Sequence, residues 1–90
     1  MTNSKLTREC ALICKAALAA LAKIEPDGMT KDSLLNIAQM DVGRPLLTRE
    51  KEDAFFALRD REWISKHTNP LTGMETWSIT VNGTDALPVL

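Results

Sequence analysis

Apolar residues divide the chain into helical segments followed by two short alternating segments. The first segment, residues 5–24, contains no Gly or Pro and is rich in Ala and Leu, a composition that favours helix. Its apolar residues recur at steps of three and four, which predicts one buried stripe: Leu6, Cys10, Ile13, Ala17, Leu21 and Ile24. We expect this helix to end at Pro26, because proline cannot continue it.

A second helix is predicted over residues 30–40. Thr30 is a suitable N-cap, because its hydroxyl can accept a hydrogen bond from a backbone N–H in the first turn. The expected inward face consists of Leu34, Ile37 and Ala38. Gly43 and Pro45 then interrupt regular structure, so the segment that follows is a connection.

The third predicted helix covers residues 48–61, with Thr48 as its N-cap. Helical spacing places Ala54, Phe55 and Leu58 on the core side. Phe56 follows Phe55 directly and therefore points elsewhere. Either it packs against the connection or the segment after the helix, which is the usual fate of a large aromatic residue, or it is an exposed anchor for a partner.

Residues 62–81 have the pattern of a β-hairpin. Ile64 and Lys66 alternate with their neighbours, a turn follows at residues 69–73, and a second alternating run contains Trp77 and Ile79. Thr80 is placed to cap a short helical turn after it. The sequence thus predicts a single α+β domain over residues 1–90, with three helices followed by a two-stranded hairpin.

The charge balance gives the chain no general attraction for phosphate. Lys and Arg number 11 against 12 Asp and Glu, a formal net charge of -1. Dedicated nucleic-acid binders usually carry a basic surface, so charge alone argues against DNA binding. The apolar run near the N-terminus is interrupted by lysines and too short to span a bilayer, so no membrane association is expected.

Neither catalytic nor metal-binding chemistry is indicated. Cys10 and Cys14 lie on one helix face, and His67 is the only histidine, which does not give the ligand spacing of a structural zinc site. The thiols are expected to be reduced and inert, as in a cytoplasmic protein. No phosphate-binding glycine loop or nucleophile motif is present, so we expect neither an enzyme nor a bound cofactor.

The first helix has more apolar surface than one buried stripe requires. Leu12 and Leu18 lie off the stripe and extend its apolar surface. One interpretation is a central helix that packs on several sides within its own domain. The other is that Leu12 and Leu18 form part of a homodimer interface.

Three stretches in the second half of the chain resemble those of a known superfamily. Ala57 to Ile64 is similar to the end of a recognition helix and the first wing strand of winged-helix proteins, and Pro70 and Gly73 follow in the turn. Residues 77–87 are similar to a family pattern in which Thr is followed after two residues by Gly. The chain thus resembles bacterial winged-helix regulators such as the multiple-antibiotic-resistance and phenolic-acid-response repressors. It departs from them at Glu62, where they often have Gly.

The resemblance implies a DNA-binding transcriptional regulator. The third helix would enter the major groove with Arg49, Lys51 and Glu52 near bases, and the wing would lie along the backbone. The wing residues near phosphates would then be Lys66, His67 and Asn69. Four carboxylates on the same helix oppose this placement: Glu50, Glu52, Asp53 and Asp60.

The alternative function is a protein-binding module on the same scaffold. The acidic balance, the surplus apolar surface of the first helix, and Phe56 favour this alternative. Under it the partner-binding residues would be Leu12, Leu18 and Phe56.

Overall fold

The computed structural model describes residues 7–90, which form helices followed by an antiparallel hairpin. The elements in order are α1 (Arg8–Ile24), α2 (Lys31–Val42), α3 (Thr48–Asp60), β1 (Ile64–Thr68), β2 (Glu75–Ile79), α4 (Val81–Ala86) and a 3-10 turn (Leu87–Val89). The predicted α+β arrangement of three helices before a hairpin is confirmed. Leu6 and the predicted start of the first helix lie outside the described residues.

The helix boundaries follow local hydrogen bonds. Thr30 caps α2 as predicted, since its Oγ1 accepts from the Ser33 N–H at 3.3 Å. The end of α2 lies two residues beyond the predicted one. Gly43 terminates it in a left-handed conformation (φ 90°) and donates its N–H to Gln39 O at 3.0 Å.

The N-cap of α3 differs from the prediction, although the helix begins at the predicted residue. Thr48 is the first helical residue, and Leu47 occupies the N-cap position. A Leu side chain cannot accept a hydrogen bond, so Glu50 supplies the carboxylate, which accepts from the Leu47 N–H at 2.8 Å. Leu46, the preceding residue, is buried, and its N–H donates to Gln39 Oε1 at 2.8 Å. Anchoring of Leu46 in the core therefore sets where the chain enters α3.

Helix α1 lies at the centre of the core and packs against α2, α3, β2 and α4. Its buried residues include Leu18, which is 0% exposed, so the assignment of Leu18 to a partner interface is wrong. Packing on several sides uses most of the apolar surface of α1. The predicted stripe is confirmed at Ile13, Ala17 and Leu21, whereas Ile24 is exposed and Cys10 is half-buried.

The chain leaves α3 through a C-terminal hydrogen-bonding motif that usually contains glycine. The Trp63 N–H donates to Leu58 O and the Glu62 N–H to Arg59 O, both at 3.0 Å. Glu62 has the left-handed conformation, with φ at 58°. The absence of glycine at this position therefore leaves the turn in place but puts a side chain where one is disfavoured.

The hairpin is fixed to the helices at both ends. β1 and β2 pair in a register that sets Ile64 opposite Ile79 and Lys66 opposite Trp77. Met29, just before α2, exchanges two backbone hydrogen bonds with Trp77, at 2.8 and 3.0 Å. Thr80 caps α4, as predicted. Together these contacts bring the start of α2, the middle of α3 and the hairpin side by side.

Candidate nucleic-acid interface

The outward face of α3 has an exposed aromatic residue at its centre. Phe56 is 64% exposed, which excludes one of its two interpretations, packing against the connection or the hairpin. Three exposed carboxylates lie one helical turn from it, on Glu52, Asp53 and Asp60. We call the surface formed by Arg49, Glu52, Asp53, Phe56 and Asp60 the α3 face. It combines one large apolar group with more acidic than basic residues.

Two of the three sequence-predicted base-contacting residues, Arg49 and Glu52, have charged partners within the protein. Arg49 Nε lies 3.9 Å from Asp53 Oδ2, in a pair whose Arg side chain is 90% exposed. Glu52 accepts two hydrogen bonds from Lys31 Nζ, at 3.0 and 3.1 Å. Lys51 is half-buried and lines a groove with the first turns of α2. Because exposed ion pairs contribute little stability, Arg49 can leave Asp53 at small cost.

The three predicted wing residues occupy different surfaces. Lys66 lies opposite Trp77 and pairs with Glu75 at 3.5 Å. His67 is the next residue along the strand, so it points to the opposite face of the hairpin. Asn69 Oδ1 accepts from the N–H groups of Leu71 and Thr72, at 2.8 and 3.2 Å, and so shapes the turn. The structure therefore separates Lys66, His67 and Asn69.

A cleft of about 310 Å³ lies between the start of α2, α3 and the hairpin. Phe55 and Trp77 form its floor, with ring centroids 5.0 Å apart and planes at 87°. The charged residues that line it are Lys31, Arg59, Lys66 and Glu75. We call this feature the aromatic cleft.

Lys31 and Arg59 contribute to this cleft and are missing from the sequence-predicted site. Lys31 Nζ lies 4.9 Å from the Phe55 centroid, and the Arg59 guanidinium lies 6.0 Å from Phe55 and 5.9 Å from Trp77. The position of Arg59 four residues after Phe55 was a usable signal, since such residues share a helix face. Lys31 offered none, because the backbone pairing of Met29 with Trp77 brings it to the cleft.

The start of α3 carries the strongest electrostatic perturbation in this region. Two hydrogen bonds from Arg44, at 3.0 and 3.1 Å, and one from the Leu47 N–H lower the pKa of Glu50 to about 2. The same contact raises the pKa of Arg44. Glu50 is thus held ionised, and its carboxylate is occupied by Arg44 and the Leu47 N–H.

The two thiols are poorly suited to reaction. Burial raises the pKa of both Cys10 and Cys14, and the Cys14 Sγ contacts Ala54 O at 3.6 Å in the core. Within residues 7–90, no group of three or more His, Cys, Asp or Glu side chains is placed to hold a metal ion. No helix in this part of the chain combines the length and apolar character needed to cross a membrane.

Comparison with known proteins identifies the fold. No protein-family model and no curated protein matches the sequence. Among solved structures, a mutant of MepR from a multidrug-resistant S. aureus clinical isolate matches with a TM-score of 0.62 and 18% identity, over 94% of this chain and 55% of MepR. The S. aureus MepR–DNA complex matches with a TM-score of 0.59 and 15% identity, over 93% of this chain and 53% of that one. The chain has a winged-helix fold.

Within this fold, α3 is the helix before the hairpin, and the β1–β2 hairpin is the wing. The chain spans about half the length of the MepR structures it matches. At these levels of identity the similarity establishes the fold alone. The α3 face itself carries more acidic than basic residues and so is not a basic surface.

Proposed function

We propose that this chain is a DNA-binding module of a transcriptional regulator that acts in the cytoplasm. The observation that supports it best is that the structural match to a MepR–DNA complex covers 93% of the chain. On this proposal α3 enters the major groove from its N-terminal end, where Arg49 and Lys51 approach base edges. The wing lies along the backbone, and because Lys66, His67 and Asn69 lie on different surfaces of the wing, each would approach a different phosphate.

The acidic α3 face would weaken the general attraction of such a module to DNA. Since the net charge is -1, non-specific attraction to phosphate is weak, and affinity depends on a small number of base contacts. Glu52 can accept a hydrogen bond from the cytosine amino group, and Phe56 can contact a thymine methyl group. We therefore expect weak binding to unrelated duplexes and a strong preference for a small set of sequences.

The test is selection from a randomised duplex library at about 50 mM salt, where phosphate attraction is strong. We expect the selection to enrich a motif to which the wild-type protein binds. The Arg49→Ala variant should bind this motif about 5- to 150-fold more weakly, the usual range for loss of a bidentate base contact. Lys23→Gln is the matched control, because it removes an exposed charge from the end of α1. Failure to enrich any motif would overturn the proposal.

A second candidate function is protein binding through the α3 face, and the exposure of Phe56 favours it. An exposed aromatic ring surrounded by carboxylates matches a partner with an apolar pocket and a basic rim. Under this alternative, Phe56→Ser abolishes binding of the partner protein, while Arg49→Ala changes that binding little. Under the DNA proposal both variants alter the selected motif, so the pair of variants separates the two functions.

We also propose that the module is a homodimer. Leu12 is 53% exposed and lies in a shallow groove between α1 and the end of α2, with Ala19 and Val42 beside it. Exposed apolar surface of this kind is typical of contacts between copies. Two copies would present two α3 helices to one duplex.

A further inference from the structure

The aromatic cleft gathers positive charge from three separate elements. Lys31 comes from the start of α2, Arg59 from the last turn of α3 and Lys66 from β1. Two carboxylates counter them, since Glu52 pairs with Lys31 and Glu75 pairs with Lys66. The cleft and its ion-pair partners therefore carry one positive charge in excess, although the whole chain is slightly acidic.

Arg59 is the cation that supplies this excess. Within residues 7–90 no carboxylate lies within ion-pair distance of its guanidinium. It lies over two aromatic rings instead, 6.0 Å from the centroid of Phe55 and 5.9 Å from that of Trp77. Aromatic rings restrict the guanidinium without using its N–H donors in conventional hydrogen bonds, so these donors stay available to an anion.

The two lysines can also turn toward an anion. The Lys31 and Glu52 side chains are 38% and 55% exposed, and those of Lys66 and Glu75 are 48% and 55% exposed. Exposed ion pairs are weak, so exchanging a carboxylate for a phosphate oxygen costs little. Both lysines line the cleft, where Lys31 Nζ lies 4.9 Å from the Phe55 centroid and Lys66 pairs with Glu75.

We propose that the aromatic cleft binds one phosphate of the DNA backbone, with Arg59 as its principal ligand and Lys31 and Lys66 as supporting charges. This inference rests on the proposed function, because the cleft lies between the two elements assigned to DNA. A guanidinium suits the two free oxygens of a phosphodiester, which it can bind through two parallel hydrogen bonds. The cleft would fix the position of α3 on the duplex without reading its sequence.

The experiment measures affinity against salt concentration for Arg59→Gln, for wild type and for Lys23→Gln as the charge control. One duplex carries the selected motif and a second is unrelated. For Arg59→Gln we expect about tenfold weaker binding to both duplexes, as for loss of a charge-assisted hydrogen bond. The slope of log affinity against log salt falls in magnitude by about 0.9, as for one lost phosphate contact. Lys23→Gln leaves both quantities unchanged.

The outcomes separate this inference from the proposed function. If wild type binds no duplex, both fail. If wild type binds its motif and Arg59→Gln matches it in affinity and salt slope, only the phosphate site is overturned. If Arg59→Gln changes the preferred sequence, the residue contacts bases, which also overturns the assignment.

A second measurement covers the case in which Arg59→Gln loosens the packing of the aromatic rings. The indole N–H signal of Trp77 in the wild-type chain is followed by NMR, with Trp63→Phe used to assign it. We expect duplex DNA to shift this signal, and inorganic phosphate at the same phosphate concentration to leave it in place. Bound DNA with an unmoved Trp77 signal would overturn the proposal, and so would an equal shift from inorganic phosphate alone.

Discussion

Glu62 adopts a left-handed backbone conformation between α3 and β1, with φ at 58°. The conformation is required, because the N–H groups of Glu62 and Trp63 close the end of α3 and the Glu62 carbonyl accepts from Thr80 Oγ1 at 2.6 Å. For a residue with a Cβ, this conformation costs roughly 1–2 kcal/mol. The surrounding hydrogen bonds impose that strain on Glu62.

We predict that Glu62→Gly raises the free energy of unfolding by about 0.5–1 kcal/mol, since relief of strain exceeds the extra backbone entropy that glycine loses on folding. Urea denaturation with an unchanged m-value measures the gain. Glu62→Ala is the control, because it removes the carboxylate and keeps the Cβ. Equal stability of the Gly and Ala variants would show that backbone conformation is not the cause.

At the scale of single elements, α3 begins with a network that depends on one carboxylate. Glu50 accepts from the Leu47 N–H and from Arg44, and its pKa of about 2 is well below the ordinary value of 4.5. A carboxylate with a lowered folded-state pKa stabilises the fold fully above its unfolded-state pKa. The contribution is lost as pH falls through the folded-state pKa, so the relevant window is between about pH 4.5 and pH 2.

We predict that Glu50→Gln lowers Tm by a few degrees at pH 7 and that its difference from wild type shrinks as pH falls from about 4.5 to about 2. Thermal unfolding followed by circular dichroism across this range measures the effect. Arg44→Gln removes the guanidinium that donates two hydrogen bonds to Glu50 and is expected to reproduce part of the loss. A difference from wild type that stays constant with pH would rule out the carboxylate charge as the cause.

The elements themselves were predictable because their signals are local. The apolar spacing of α1, the Thr30 cap and the alternation in the hairpin each involve neighbours in sequence, and the structure confirms them. The predicted cap at Thr48 was wrong because the decisive contact is not local. Burial of Leu46 in the core sets the backbone so that Leu47 occupies the N-cap position. Capping preference alone would place the N-cap one residue later, at Thr48.

The site was less predictable than the elements for the same reason. Strand alternation already places Lys66 and His67 on opposite faces, and the structure has them so. Lys31 and Arg59 meet in the aromatic cleft because Met29 pairs with Trp77. These two pairing residues are far apart in the sequence. Periodicity within a segment carries no information about such a pairing.

At the scale of the whole molecule, the surplus apolar surface of α1 has two different fates. Leu18 is buried because α1 packs on several sides within its own domain. Leu12 stays 53% exposed in the groove beside Val42, so only this part of the predicted interface remains available to a second copy. The proposed homodimer therefore depends on Leu12 far more than on the rest of the helix.

We predict that Leu12→Glu converts a wild-type dimer into a monomer, because the substitution places a charge in an interface that would exclude water. Analytical ultracentrifugation over a range of protein concentrations measures the change, and circular dichroism checks that the helices remain. Met40→Glu is the matched control, since Met40 is 78% exposed and is not part of the groove. Dissociation by Met40→Glu but not by Leu12→Glu would move the interface to the outer side of α2. A wild-type monomer at every concentration would instead require a single α3 to supply all base contacts.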